Sequence, residues 1–221
     1  MSKKNISQEK IIQAFLASAF DKGAGATSLA DVSEGLEIKK ASLYNHFESR
    51  DAMYEATIAY SAKEIEGISF LEEKTLESIK GGKVAPAAVF KKLITRYFQL
   101  FENEPLFQIY AFVRSEQYFN LAALKIVDGE NNQICDSIKN ILTAFAAAKK
   151  IAKKTDKEFK DAAAEFAAVI IQQRDAYIAA RKETVRQNPD SKAGGLFALP
   201  QLVQLLTLLS LNYRPNYRVF L

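Results

Sequence analysis

Lys39, Lys40, Ser42, Tyr44, Asn45 and His46 lie almost side by side, separated only by Ala41 and Leu43. Their ammonium, hydroxyl, amide and imidazole groups are the kinds that hold phosphate oxygens and read the donor and acceptor pattern of base edges. Leu43 and Phe47, four residues apart, give the same stretch a buried anchor, so a short helix over 39 to 47 presents its polar side chains on the face away from the core. That helix needs a support. Ser28 and Asp31 make the S/T-x-x-D/E pattern that opens a helix, and Leu29, Val32 and Leu36 then share one face. Ser49, with Asp51 in the first turn, opens a third helix directly afterwards. Two short helices joined by a tight turn at Gly35 to Glu37 form a helix-turn-helix pattern, whose second helix is shaped for a major groove.

Residues 28 to 53 also resemble a known family. The tetracycline-repressor (TetR) family of bacterial regulators carries T-x-x-D-I-A-x-x-A-G-V-S-x-G-T-L-Y-x-H-F-x-S-K-E-x-L. Ser28, Asp31, Val32, Ile38, Ser42, Leu43, Tyr44, His46, Phe47, Ser49, Arg50, Asp51 and Met53 match it or substitute closely. The run Leu43-Tyr44-Asn45-His46-Phe47 is its most specific part. Two positions depart: Glu37 stands at the family's turn glycine and Lys39 at its usual Ser or Thr cap. The resemblance implies an all-α chain with an N-terminal three-helix helix-turn-helix domain, residues 1 to 50, and a larger C-terminal helical domain, 51 to 221, for effector binding and dimerisation. It implies a double-stranded DNA operator as partner. Ser28, Tyr44, His46 and Arg50 are then assigned to phosphates, and Lys39, Lys40, Ser42 and Asn45 to the bases.

Charge adds little to this. Residues 1 to 50 hold seven Lys or Arg against six Asp or Glu, and the whole chain is +4, so no broad basic footprint accompanies the motif. Local placement must suffice, with Lys3 and Lys4 on the N-terminal arm. The 221 residues, 48% hydrophobic, are enough for a small domain joined to a larger one. The lone Cys135 excludes an intrachain disulfide and fits a reducing cytoplasm. The start lacks the apolar stretch of a signal peptide, and the most apolar segment, 196 to 211, is interrupted by Pro200, Gln201 and Gln204 and too short to span a bilayer. A soluble cytoplasmic protein is expected, with no membrane partner. A single His and a single Cys, far apart, make neither a metal site nor a nucleophile pair, and no phosphate-binding glycine loop is present. No catalytic residue, metal or cofactor is assigned.

Helix is predicted almost throughout. Ile11, Ile12, Phe15, Leu16, Ala19 and Phe20 make a first helix over 7 to 22, stopped by Gly23. The helix after Ser49 runs to about Gly67, and 68 to 85 reads as a loosely helical connector. Pro86 and Pro105 open further helices, to about Asn103 and Asn120, and 121 to 151 follows with a bend at Gly129. Thr155 and Glu158 form a second capping box.

Beyond it, Phe159, Ala163, Phe166, Ile170 and Tyr177 make an apolar stripe between small flanking residues. A last helix over 200 to 211 is leucine-rich on most sides. In the family resembled, the final two helices pair with their mates in a homodimer. This implies an interface of Phe166, Ile170, Tyr177, Leu202, Leu205 and Leu209.

Residues 90 to 119 concentrate nine aromatic side chains. Aromatic residues at helical spacing usually form core, but small-molecule pockets are also apolar and aromatic with a few polar anchors. Tyr97, Phe98, Phe101, Phe107, Tyr110, Arg114 and Tyr118 are the candidate lining for a small, mostly apolar effector. The leading reading is a ligand-responsive repressor acting as a homodimer on a near-palindrome. The alternative is a helical ligand-binding or interaction protein whose degenerate helix-turn-helix no longer binds DNA; Glu37 and the near-neutral first domain favour it.

Overall fold

The structure, a computed structural model, describes residues 6–187. Lys3, Lys4 and the expected helix over 200 to 211, with Leu202, Leu205 and Leu209, lie outside the described residues. The chain is all-α, with no strand among the described residues. In order come α1 (Gln8–Lys22), α2 (Leu29–Gly35), a 3-10 helix (Lys40–Asn45) and α3 (Arg50–Glu66). Then follow α4 (Glu73–Lys80), α5 (Pro86–Gln99), a 3-10 turn (Leu100–Glu102), α6 (Leu106–Glu116), α7 (Leu121–Ala147) and α8 (Asp156–Gln187). The stretch expected as a loose connector contains a regular helix, α4, stopped at Gly81.

Serine and threonine hydroxyls set the helix starts. Ser7, Ser28 and Ser49 cap α1, α2 and α3, and Thr155 forms a reciprocal capping box with Glu158 before α8. Each hydroxyl accepts an N–H that the helix itself cannot satisfy. Two helix ends share a different device. After α2, the Ile38 N–H bonds Ser33 O at 2.9 Å and the Glu37 N–H bonds Glu34 O at 3.0 Å. After α7, the Lys150 N–H bonds Phe145 O at 2.9 Å and the Lys149 N–H bonds Ala146 O at 3.0 Å. These are Schellman ends, which need a left-handed residue and usually take glycine; here they hold Glu37 at φ 56° and Lys149 at φ 57°. The second stops α7 at Ala147, short of the expected 151. Gly129 does not interrupt α7.

The described chain forms two compact units. The first contains the residues up to Ile68 together with Asn103–Gly129. Ile11, Phe15, Leu16, Val32, Met53, Phe107 and Ile109 are wholly buried in it, and Phe15, Tyr54 and Phe112 meet edge to face at 6.0 to 6.4 Å. The second contains Ser69–Glu102 and the residues from Glu130 onward. Its core takes Ile134, Ile138, Ile141 and Phe145 from α7, Ile94 and Tyr97 from α5, and Ala163 and Ile170 from α8. α7 passes from the first unit to the second after Gly129. In the first unit α3, α6 and the start of α7 lie together with the helix-turn-helix.

Candidate nucleic-acid interface

The second helix of the motif is anchored on one side and open on the other. Leu43 is 1% exposed and Phe47 8%; Lys39, Lys40, Ala41, Tyr44 and Asn45 are exposed, and Ser42 and His46 are half-buried. The segment Lys40–Asn45 winds as a 3-10 helix. The Ser42 N–H bonds Lys39 O at 2.8 Å and the His46 N–H bonds Leu43 O at 2.9 Å. Lys39 supplies no side-chain cap, as its type requires, and the helix itself is only six residues long. At the far end, Gln8 Nε2 of α1 donates to His46 O at 3.1 Å. That contact had no signal in the sequence.

Two residues assigned to phosphates from the sequence, Arg50 and Ser28, are hydrogen-bonded inside the unit. Arg50 Nε donates to Thr27 O at 3.1 Å, one terminal nitrogen donates to Ala24 O, and the other lies 3.3 Å from Asp51. Its guanidinium also sits 5.5 Å over the Phe15 ring and 5.6 Å over the Tyr54 ring, an arrangement with cation–π attraction. Arg50 closes the 24 to 27 turn onto α1 and α3. The Ser28 hydroxyl donates to Asp31 at 2.8 Å and accepts the Asp31 N–H at 3.3 Å, so its proton is held in the capping box. Lys22 Nζ lies 2.5 Å from Asp31; this bond and those from Ser28 hold the Asp31 carboxyl well below the usual carboxylate range.

α3 ties the motif to the remainder of its unit. The Tyr54 hydroxyl donates to Glu116 at 2.9 Å, and Asn120 Nδ2 donates to Glu55 at 3.4 Å. Burial and then the Glu116 carboxylate push the Tyr54 phenol up to about 12, so it remains a donor at neutral pH.

The candidate effector lining is split by the chain path. Tyr97, Phe98 and Phe101 belong to the second unit, whereas Phe107, Tyr110, Arg114 and Tyr118 belong to the first. The single aromatic cluster expected from residues 90 to 119 is therefore two cores, because the chain changes unit after Glu102. Tyr118, moreover, is 80% exposed. In the second unit, Phe70 and Phe101 lie edge-on to Tyr97 at 5.4 and 5.2 Å.

Sequence reading missed a charged group there. Arg174, 0% exposed, donates to Glu130 at 2.6 Å and to the Tyr97 hydroxyl at 3.1 Å, and Tyr97 donates to Glu130 at 2.5 Å. Burial, followed by the Glu130 charge, pushes the Tyr97 phenol well above its ordinary range. The signal was present: Arg174 falls on the apolar stripe of α8.

The expected dimer residues on that stripe pack within their own unit. Ile170 and Tyr177 are buried in the unit's own core, Tyr177 packs at 5.6 Å on Phe98, and Phe166 packs at 5.6 Å on Phe90. Among the described residues no helix is long and apolar enough to cross a membrane, and no acidic, His or Cys cluster is placed to hold a metal ion.

An anchored short helix with an open polar face, set on a three-helix support, is a helix-turn-helix unit. Residues 11–57 match the family model described as bacterial regulatory proteins, tetR family. Over 51 residues the chain is 39% identical to the biofilm operon icaADBC HTH-type negative transcriptional regulator IcaR of Staphylococcus aureus. That match covers 23% of this chain and spans only 27% of the relative's length. The fold is also that of a TetR-like transcriptional regulator from Rhodococcus sp. RHA1, at TM-score 0.57 and 14% identity over 97% of this chain and 100% of that one. Salmonella enterica GusR shares it at TM-score 0.56 and 15% identity, over 96% and 98%. The likeness to the tetR family of bacterial regulatory proteins is carried by residues 11–57, and beyond them by the fold alone.

Proposed function

We propose that the chain is a ligand-responsive repressor that binds a near-palindromic DNA operator as a homodimer in the cytoplasm. The observation that carries DNA reading is the open face of the 3-10 helix, where Lys39, Lys40, Tyr44 and Asn45 are exposed while Leu43 and Phe47 fix the helix from beneath. Lys39, Lys40, Ser42 and Asn45 read bases, and Tyr44 and His46 hold phosphates. Ser28 and Arg50 keep the support rigid. The proposed division of labour assigns residues 1 to 50 to DNA and 51 to 221 to effector and dimer.

The competing reading rested on Glu37 and on the near-neutral first domain, and the structure bears on the first of these. The left-handed turn at Glu37 carries both hydrogen bonds of a regular helix end, so the residue does not prevent the motif from forming. A negative regulator among the relatives supports repression. The aromatic set Tyr97, Phe98 and Phe101, with the polar end at Arg174, supports a small, mostly apolar effector in the second unit. Homodimerisation follows from the length of DNA that one short helix can read.

The test is selection from a pool of random duplexes, followed by titration of the retained sequence. Tyr44→Ala should weaken binding to every sequence, and Lys40→Ala should also change preference. A folded double variant with undiminished affinity refutes the assignment.

A further inference from the structure

The first unit carries its least covered apolar surface at the corner between α6 and α7. Tyr118 is 80% exposed, Phe119 86%, Leu121 67% and Leu124 37%. This corner is not a loose loop. Asn120 Oδ1 caps α7 by accepting the Ala122 and Ala123 N–H groups at 2.8 and 3.2 Å, its Nδ2 holds Glu55, and Glu116 just before it is held by Tyr54. The aromatic pair is thus presented on a fixed frame that is continuous with α3 and the reading helix.

We infer that the Tyr118, Phe119, Leu121 and Leu124 corner is a contact surface for the same corner of a second copy of this chain. Area is the first argument. With roughly 150–250 Å² per large aromatic side chain, the four residues present on the order of 400–500 Å², the size of the largest apolar patch on a typical monomer, which is often functional. A standard interface takes about 800 Å² from each partner, so the corner fits one lobe of a larger isologous contact.

Charge is the second argument. Leu121, Leu124, Lys125 and Asp128 follow one another at i, i+3, i+4 and i+7 along one face of α7, and Lys125 and Asp128 are exposed, with no ion pair to either among the described residues. Two copies of this face packed antiparallel about a two-fold axis bring Lys125 of each copy toward Asp128 of the other. The surface complements itself. The third argument rests on the proposed function: a two-part operator sets two copies of this unit side by side, and a contact on the unit itself fixes the separation of the reading helices more directly than one elsewhere.

Sedimentation of the full chain over a concentration series tests the contact without DNA. The Tyr118→Ser, Phe119→Ser double variant should keep the wild-type circular dichroism and raise the dimer Kd about tenfold or more, as removal of central aromatic contacts does. Lys125→Asp alone should weaken the dimer, and adding Asp128→Lys should restore it. Overturning results are a wild-type chain that stays monomeric, or a double variant with unchanged association. A lower Tm with unchanged association would instead assign the corner to residues of the same chain. Should no duplex be retained from the random pool, the DNA reading fails while sedimentation still decides this contact. If an operator is found, the double variant should tolerate altered half-site spacing that the wild type rejects.

Discussion

The 39 to 47 segment and the Tyr97, Glu130 and Arg174 group use the same chemical kinds of residue, cations and phenols, in opposite ways. In the first, Lys39, Lys40 and Tyr44 are exposed while Leu43 and Phe47 tie their helix down. In the second, Arg174 is fully enclosed and bonded to both partners. A buried charge is tolerated only when it is paired and hydrogen-bonded, so the inner cluster is structural whatever else it does. An exposed polar row on an anchored helix adds little to stability, which makes it available for a partner. Side-chain type does not separate the two; burial and pairing do.

The largest effect expected on this contrast is at Arg174. Arg174→Leu leaves Glu130 buried without its cation and should cost roughly 3–5 kcal/mol of unfolding free energy, read from a urea titration. Lys40→Ala in the same assay should stay within about 0.5 kcal/mol, as surface substitutions do. Similar losses at both positions would erase the distinction.

Operator binding should reverse the ranking. Lys40→Ala is expected to weaken a specific duplex by about 1–3 kcal/mol and to lower the salt slope if it also meets a phosphate. A mild Tyr97→Phe change, compared at a temperature where both proteins are folded, should leave DNA affinity in the absence of effector near wild type. Titration by fluorescence anisotropy checks both, and a Tyr97 variant weaker than the Lys40 variant would place the inner cluster in DNA reading.

The helix-turn-helix was legible because its signals are local. Caps act within three residues, and Leu43 and Phe47 mark a face by their spacing alone. The same locality explains what the sequence could not show. Arg50 looked free because Thr27 O and Ala24 O, its acceptors, are backbone atoms that no residue type announces. The aromatic run from Phe90 to Phe119 looked like one cluster because sequence proximity cannot show that the chain changes unit at Asn103. Ile170 and Tyr177 had the correct spacing for a buried stripe, but spacing does not say whether the cover comes from the same chain or from another.

Glu37 offers a smaller adjustment to the reading side of the contrast. A non-glycine residue at φ 56° is strained by its Cβ, so Glu37→Gly should stabilise the protein by about 1 kcal/mol. The exposed face is untouched, and DNA affinity should therefore change little. Thermal melts with parallel titrations check this, and a destabilised variant would show that interactions of the Glu37 side chain outweigh the strain.

The smallest expected effect is the pH response of Asp31, which belongs to the support rather than to the open face. Lys22 first, and then Ser28, lower its folded pKa, so the folded state favours the ionised carboxylate more than the unfolded chain does. That contribution is fully present above the unfolded value of about 3.9 and is lost as pH falls through the folded one. In Asp31→Asn the titrating group is gone, so the Tm gap between wild type and variant should be constant above about pH 5 and narrow below about pH 4. The Lys22 pair is partly exposed and screened by salt, so added salt should shrink the gap but not remove the part due to the Ser28 bonds. A gap that widens on acidification would mean that Asp31 is stabilised in its protonated form, and that the lysine contact is not what holds the start of α2 under the reading helix.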